Sequence, residues 1–309
     1  MTRRAMFKVA VIGASGLLGR AVMRELGAGT DWRVVPTAFR HAGPQHVSLD
    51  VRDEHAVAAF VAREAPDAMV IAAAERRPDV CENDPATAHA LNVGAVRSIA
   101  RAARPHGAWV LSISTDYVFD GTRPPYRCDD TPNPLNAYGH SKLEGERALL
   151  EETGHALVLR LPLLYGPVVD WQESAVTSLV PAVLASAQPG ARPAVMDAWA
   201  TRYPTFTPDV AFVIRELLTR HADGKAVNGL AQWSGDEPMT KYQIAQHLAR
   251  ALDVDARLLA QTTPADATPR PRDCHLDSSR LEGLGIGRRT PFDAAIGAVL
   301  GGFETRPAQ

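Results

Sequence analysis

An α/β fold, a doubly wound parallel sheet with a smaller C-terminal substrate domain, is predicted by three features of the sequence. Short apolar runs of strand length alternate with stretches of helical length as far as about residue 167. A glycine-rich turn, Gly13-Ala14-Ser15-Gly16-Leu17-Leu18-Gly19, joins the first run to the first helical stretch. Beyond Pro167 the alternation fades, and a stretch rich in Pro, Gly and Ala leads to a second set of helices. The expected division is 1–167, with a return segment near 203–233, against 168–309.

Lys8-Val9-Ala10-Val11-Ile12 is apolar and short, as a buried parallel strand should be. The glycines after it allow a tight turn and close backbone approach, and a helix-compatible stretch over 20–26 follows. Strand, glycine turn and helix together predict an NAD(P)-binding Rossmann domain. In such a domain the free N–H groups of the helix start face a pyrophosphate. Gly13, Ser15, Gly16, Leu17, Leu18 and Gly19 are the candidate pyrophosphate residues.

Residues 33–39 read as the second strand, ending in Phe39-Arg40-His41, with no Asp or Glu between Trp32 and Leu49. An acid here would hold the ribose hydroxyls of NAD(H), whereas an Arg accommodates the 2′-phosphate of NADP(H). Arg40 therefore favours NADP(H) over NAD(H). A third strand over 46–49 precedes Asp50 and Val51, candidates for the adenine edge. Asp50 and Asp53 compete for the N-cap of a helix over 54–64.

The fourth strand, 67–74, ends in Ala72, Ala73 and Ala74, whose small side chains leave room for a ligand. Asn92 stands inside a helix, where Asn is a poor former, so a cofactor role and a plain exposed position both stay open. The fifth strand, 109–114, places Thr115 at its C-terminal end. A turn-rich loop over 119–135 leads to a helix carrying Tyr138 and Lys142, one turn apart on one face. An ammonium so placed is expected to lower the phenol pKa and make Tyr138 a proton donor, with Thr115 bonding the same substrate oxygen. A sixth strand, 156–161, ends at Leu161 and leads to Leu164. Helices are expected over 173–187, 208–221 and 241–252, with a short strand at 232–234.

The 309 residues are 46% hydrophobic and 22% charged, ordinary for a globular protein with a sizeable core. A net charge of −2 argues against a nucleic-acid partner or a membrane surface. Cys81, Cys128 and Cys274 lack metal or redox spacing. Arg3-Arg4 is followed by a run broken by Gly13, Ser15 and Gly16 rather than by a signal-peptide core, and no apolar run spans a membrane. A cytoplasmic setting is expected.

Three motifs taken together resemble the extended short-chain dehydrogenase/reductases, in their dTDP-4-dehydrorhamnose reductase branch. They are the glycine turn, Ser114-Thr115-Asp116-Tyr117-Val118-Phe119-Asp120-Gly121, and Tyr138-Gly139-His140-Ser141-Lys142. The resemblance implies hydride transfer from NADPH to C4 of a nucleotide-linked 4-keto-6-deoxysugar, with Tyr138, Lys142 and Thr115 catalytic. Glu75, Asp116, Tyr117, Arg270 and Arg272 are the candidate substrate residues, the two arginines for a diphosphate.

Other stretches, including Ala73-Ala74-Glu75-Arg76-Arg77-Pro78 and Trp233-Ser234-Gly235-Asp236-Glu237-Pro238, are similar to the regulatory β subunits of methionine adenosyltransferase. That similarity implies a cofactor-binding module with a methionine adenosyltransferase catalytic subunit as its partner. A reductase of another ketone and association of two copies of the chain also stay open.

Overall fold

The computed structural model describes residues 6–40, 42–264 and 267–304; Arg3, Arg4 and His41 lie outside the described residues. The predicted parallel sheet is present. It is built from β1 (Lys8–Ile12), β2 (Arg33–Ala38), β3 (Val47–Ser48), β4 (Ala68–Ile71), β5 (Trp109–Thr115) and β6 (Ala156–Leu161). Helices α1 (Leu17–Gly29), α2 (Glu54–Glu64), α3 (Pro78–Asn83), α4 (Pro85–His89), α5 (Ala95–Ala103) and α6 (Ala137–Glu152) connect the strands.

The short β7 (Leu164–Tyr165), α7 (Val180–Ser186), β8 (Ala194–Asp197) and β9 (Thr205–Phe206) lead away from the sheet. The chain then returns through α8 (Thr207–Ala222) and β10 (Gly229–Gln232). It finishes with α9 (Lys241–Ala251), β11 (Leu258–Gln261), α10 (Ser279–Glu282) and α11 (Phe292–Glu304). The sheet order is β10-β6-β5-β4-β1-β2-β3, with every pairing parallel. Strand order reverses between β1 and β4, and the crevice beyond their C-terminal ends is where such folds take ligands.

Each face of the sheet carries its own core. One packs Val9, Val11, Val70 and Leu111 against α1 and α8. The other packs Ala10, Ile12, Met69 and Val110 against α2 and α5. A third core, away from the sheet, joins Val183, Met196, Ile244, Leu248, Phe292 and Ile296.

Several predicted elements are corrected. The fourth strand stops at Ile71 rather than 74: Ala72 N–H still donates to Ile12 at 2.9 Å, but β1 has turned away at Gly13. The helix expected over 173–187 is two 3₁₀ turns, Trp171–Glu173 and Thr177–Leu179, before α7. The strand placed at 232–234 is β10, ending at Gln232. Asp53, not Asp50, caps α2, accepting from the N–H groups of His55 and Ala56.

Candidate active site

The glycine turn leaves β1 with Gly13 at φ +83°, where a Cβ would lie 2.9 Å from the Ala73 backbone nitrogen. Only glycine lets this turn sit against the end of β4. Gly19 is closer still, since a Cβ there would be 2.1 Å from the Gly13 carbonyl oxygen. Gly16, by contrast, is exposed and is the N-cap of α1, with no side chain bonded to the helix start. Gly16 N–H donates to the Gly13 carbonyl at 3.1 Å, and the N–H groups of the first turn that follows, uncapped by any side chain of Gly16, form the positive end of a 13-residue helix beside Ser15 and Leu17, while Leu18 packs inward. The chemistry of this cradle fits a dinucleotide pyrophosphate. Arg20, on the first turn of α1, pairs with Glu173 at 2.6 Å.

Beyond β2, Arg40 is exposed and Arg52 lies over the Phe39 ring, 5.4 Å from its centroid. Asp50 accepts from the Arg52 backbone N–H at 3.0 Å and from its guanidinium at 2.8 and 2.7 Å. The side-chain bonds to Arg52 hold the Asp50 carboxyl below the usual range, against the opposing effect of burial and with help from the Arg52 backbone N–H and the charges of Arg52 and Arg40. The predicted adenine contact Asp50 is therefore engaged with Arg52, a residue that sequence reasoning passed over. Val51 is buried beside it.

Ala72, Ala73 and Ala74 follow β4 as a partly exposed backbone strip facing the glycine turn. Asn92 is not an exposed position: it is 1% exposed, inside a π-helical turn, Ala90–Gly94. Its Oδ1 accepts from Glu75 N–H at 2.9 Å, and its Nδ2 donates to Glu75 O and to Ser141 Oγ, each at 3.0 Å. Both ends of the amide are occupied, so Asn92 shapes the ligand crevice by tying the strip after β4 to α6. Leu161 ends β6, and Leu164 stands in β7.

Thr115 is the last residue of β5, and Asn136 caps α6, accepting from Gly139 N–H at 2.9 Å. The cap places Tyr138 in the first turn, with its ring edge-on to Tyr117 at 5.8 Å. The Lys142 ammonium is buried and donates to the Ile113 carbonyl at 2.7 Å. Burial lowers Lys142 to about 8. The expectation that Lys142 lowers the Tyr138 pKa is corrected here. Loss of water raises the phenol, and the Thr115 hydroxyl only partly opposes that rise. Tyr138 therefore holds its proton at neutral pH, as a proton donor should.

The remaining predicted residues divide. Asp116 and Tyr117 adjoin the Thr115–Tyr138 pair. Glu75 is paired with Arg77 at 2.8 Å. Arg270 pairs with Asp79 at 3.2 Å, bridging the C-terminal segment to α3, and Arg272 is exposed. A second cation beside the site is Arg202, which sequence reasoning missed. It is 5% exposed, lies 5.7 Å over the Tyr117 ring, and donates from Nη1 to the Thr201 and Pro271 carbonyls. A lone Arg within Ala200-Thr201-Arg202-Tyr203-Pro204 was the available signal.

Burial raises Cys81, near the pair, to about 11, so it stays a thiol at neutral pH. No cluster of metal-binding side chains exists among the described residues, and none of their helices is long and apolar enough to cross a membrane.

The chain matches the family model described as the RmlD substrate binding domain over residues 7–304. It is 45% identical over 298 residues to methionine adenosyltransferase 2 subunit beta of Bos taurus, covering 96% of this chain and 88% of that protein. Over 291 residues it is 34% identical to a probable dTDP-4,6-dihydroxy-2-methyloxan-3-one 4-ketoreductase of Streptomyces antibioticus, covering 93% and 92%. The crystal structure of a dTDP-4-dehydrorhamnose reductase from Clostridium acetobutylicum superimposes with a TM-score of 0.83 at 25% identity, covering 97% of this chain and all of that one.

Proposed function

The chain belongs to the RmlD substrate binding domain family, and from that membership we propose that it is a cytoplasmic, NADP(H)-dependent reductase of a nucleotide-linked 4-keto-6-deoxysugar. The observation that carries this reading is the convergence of Thr115, Tyr138 and Lys142 at the end of β5, on the edge of the sheet that bears the glycine turn. The dinucleotide would lie along Gly13, Ser15 to Gly19 and the strip 72–74, reaching Tyr138, Lys142, Leu161 and Leu164. When bound, its nicotinamide supplies the hydride.

The chain's own residues do the rest. Tyr138, kept protonated by burial, gives its proton to the oxygen formed at C4. Thr115 bonds that oxygen, and Tyr117 and Arg202 bound the space around the sugar. Lys142 holds the ribose and, once the phenol has given up its proton, stabilises the phenolate. With NADPH and a dTDP-4-keto-6-deoxyhexose, loss of NADPH should match loss of the ketone. Tyr138→Phe should keep cofactor binding and lose about 10²–10⁴-fold in rate. Turnover at the parental rate in that variant would refute the assignment of Tyr138.

A second reading is favoured by one specific observation, the 45% identity to methionine adenosyltransferase 2 subunit beta. On that reading the chain binds NADP(H) and associates with a methionine adenosyltransferase catalytic subunit without turnover of its own. Tight NADPH binding, no activity on a panel of keto-sugar nucleotides, and co-purification with the transferase would select it.

A further inference from the structure

Thr115 and Asp116 leave β5 together and their side chains are joined. The Thr115 hydroxyl donates to Asp116 Oδ1 at 3.1 Å, and its oxygen accepts from Tyr117 N–H at 3.2 Å. A hydroxyl has one proton to donate. With that proton on Asp116, Thr115 can only accept, which suits an alcohol or the Tyr138 phenol but not a ketone oxygen. Asp116 is 5% exposed. The titratable or charged groups facing it from other elements are Arg202, from the connection before β9, Tyr138 on α6, and Cys274 in the segment before α10.

On the reductase reading above, we propose that Asp116 is a positioning residue whose protonation reverses the Thr115 hydroxyl. Thr115 is an acceptor while Asp116 is ionised and a donor to the ketone oxygen once Asp116 carries a proton, with Arg202, in the connection before β9, setting the balance. A protonated Asp116 donates to Thr115 Oγ1 and frees the Thr115 proton for the carbonyl oxygen. No net proton comes from Asp116, because Tyr138 supplies the one that ends on the product. Burial raises the Asp116 carboxyl to about 6, with the Arg202 charge and the Thr115 bond pulling against it. The donor form of Thr115 therefore fills below about pH 6 and declines about tenfold per unit above it. Tyr138 stays protonated across this range, and Lys142, lowered to about 8, titrates in a separate window.

Ketone reduction at saturating NADPH, followed from about pH 5 to 9, tests the switch. Parental kcat/KM should fall about tenfold per unit above a limb near 6. An amide can donate to Thr115 at every pH, so Asp116→Asn should lose that limb and keep the one near 8. Arg202→Met should move the limb upward, and Arg202→Lys, which keeps the charge, should restore it. Carboxyl-labelled aspartate NMR of the substrate-free protein adds an arm that needs no turnover. The resonance missing in Asp116→Asn should titrate near pH 6 and shift upward in Arg202→Met. A carboxyl that titrates below about pH 5 and ignores Arg202→Met overturns the proposal, as does an acid limb unchanged in Asp116→Asn. The expected titration with no turnover of any ketone would remove the reductase reading while supporting the link between Asp116 and Arg202.

Discussion

Arg40 and Arg52 show how far a side chain's role depends on its partner. Both are cations beside Asp50, yet Asp50 is bonded twice to the Arg52 guanidinium and not at all to Arg40. Arg40 is exposed and, among the described residues, donates to no carboxylate, so it is a cation open to a 2′-phosphate. Calorimetric titration should show NADPH binding more tightly than NADH. A charge-assisted contact contributes about 1.5–3 kcal/mol, so Arg40→Ala should remove about 10–100-fold of the preference. Arg52→Ala should act less directly, by releasing Asp50 to repel the phosphate. Equal affinity of the parent for both cofactors would sink the assignment of Arg40.

The glycine turn separates a ligand-facing glycine from a packing one, although both occupy one motif. Gly16 has a single near neighbour for an added Cβ, the Gly13 carbonyl oxygen at 3.4 Å, an ordinary contact. Gly16→Val should therefore leave a folded protein while filling the space in front of the α1 N-terminus and abolishing NADPH binding. Gly19 has no such latitude, with Ala14 Cα 2.7 Å from a Cβ in addition to the Gly13 oxygen. Gly19→Ala pushes α1 off β1 and should lower stability by about 1–3 kcal/mol or more, read as a lower denaturant midpoint. If Gly16→Val binds NADPH as the parent does, the pyrophosphate lies elsewhere.

Charged side chains tie the elements around the sheet to later parts of the chain. Arg20–Glu173, Arg270–Asp79 and Arg288–Asp209 each link segments distant in sequence. Glu146 of α6 and Arg160 of β6 form a buried pair at 2.7 Å, with Ser114 donating to Glu146 at 2.5 Å. Arg160 also lies 5.1 Å over the Phe119 ring, so the pair ties α6, which bears Tyr138 and Lys142, to the loop after β5. Removing one partner leaves the other charged and dry. Glu146→Ala should cost about 3–5 kcal/mol in chemical denaturation, whereas the double variant Glu146→Leu/Arg160→Met should recover much of the loss. A double variant no more stable than the single one would mean that Ser114 and Phe119 need the pair itself.

The parallel sheet, the glycine turn and the Thr115–Tyr138–Lys142 set were legible in the sequence because each depends on short-range patterning. Strand-length apolar runs, the spacing of Gly13, Gly16 and Gly19, and the four-residue step from Tyr138 to Lys142 are all local. Even where Thr115 lies followed from the end of β5. What lay beyond the sequence was which groups lose water and which partners they meet. Burial, not the neighbouring ammonium, sets the direction of the Tyr138 shift. Asn92 is a buried bracket rather than an exposed position, because the π-helical turn points it at Glu75 and Ser141, 17 and 49 residues away. Arg202 reaches Tyr117 and Asp116 from a part of the chain far downstream of both. Local patterning carries the backbone's period but not the long-range pairing of charges, and desolvation, which arises only when distant segments close over a side chain, decides its chemistry.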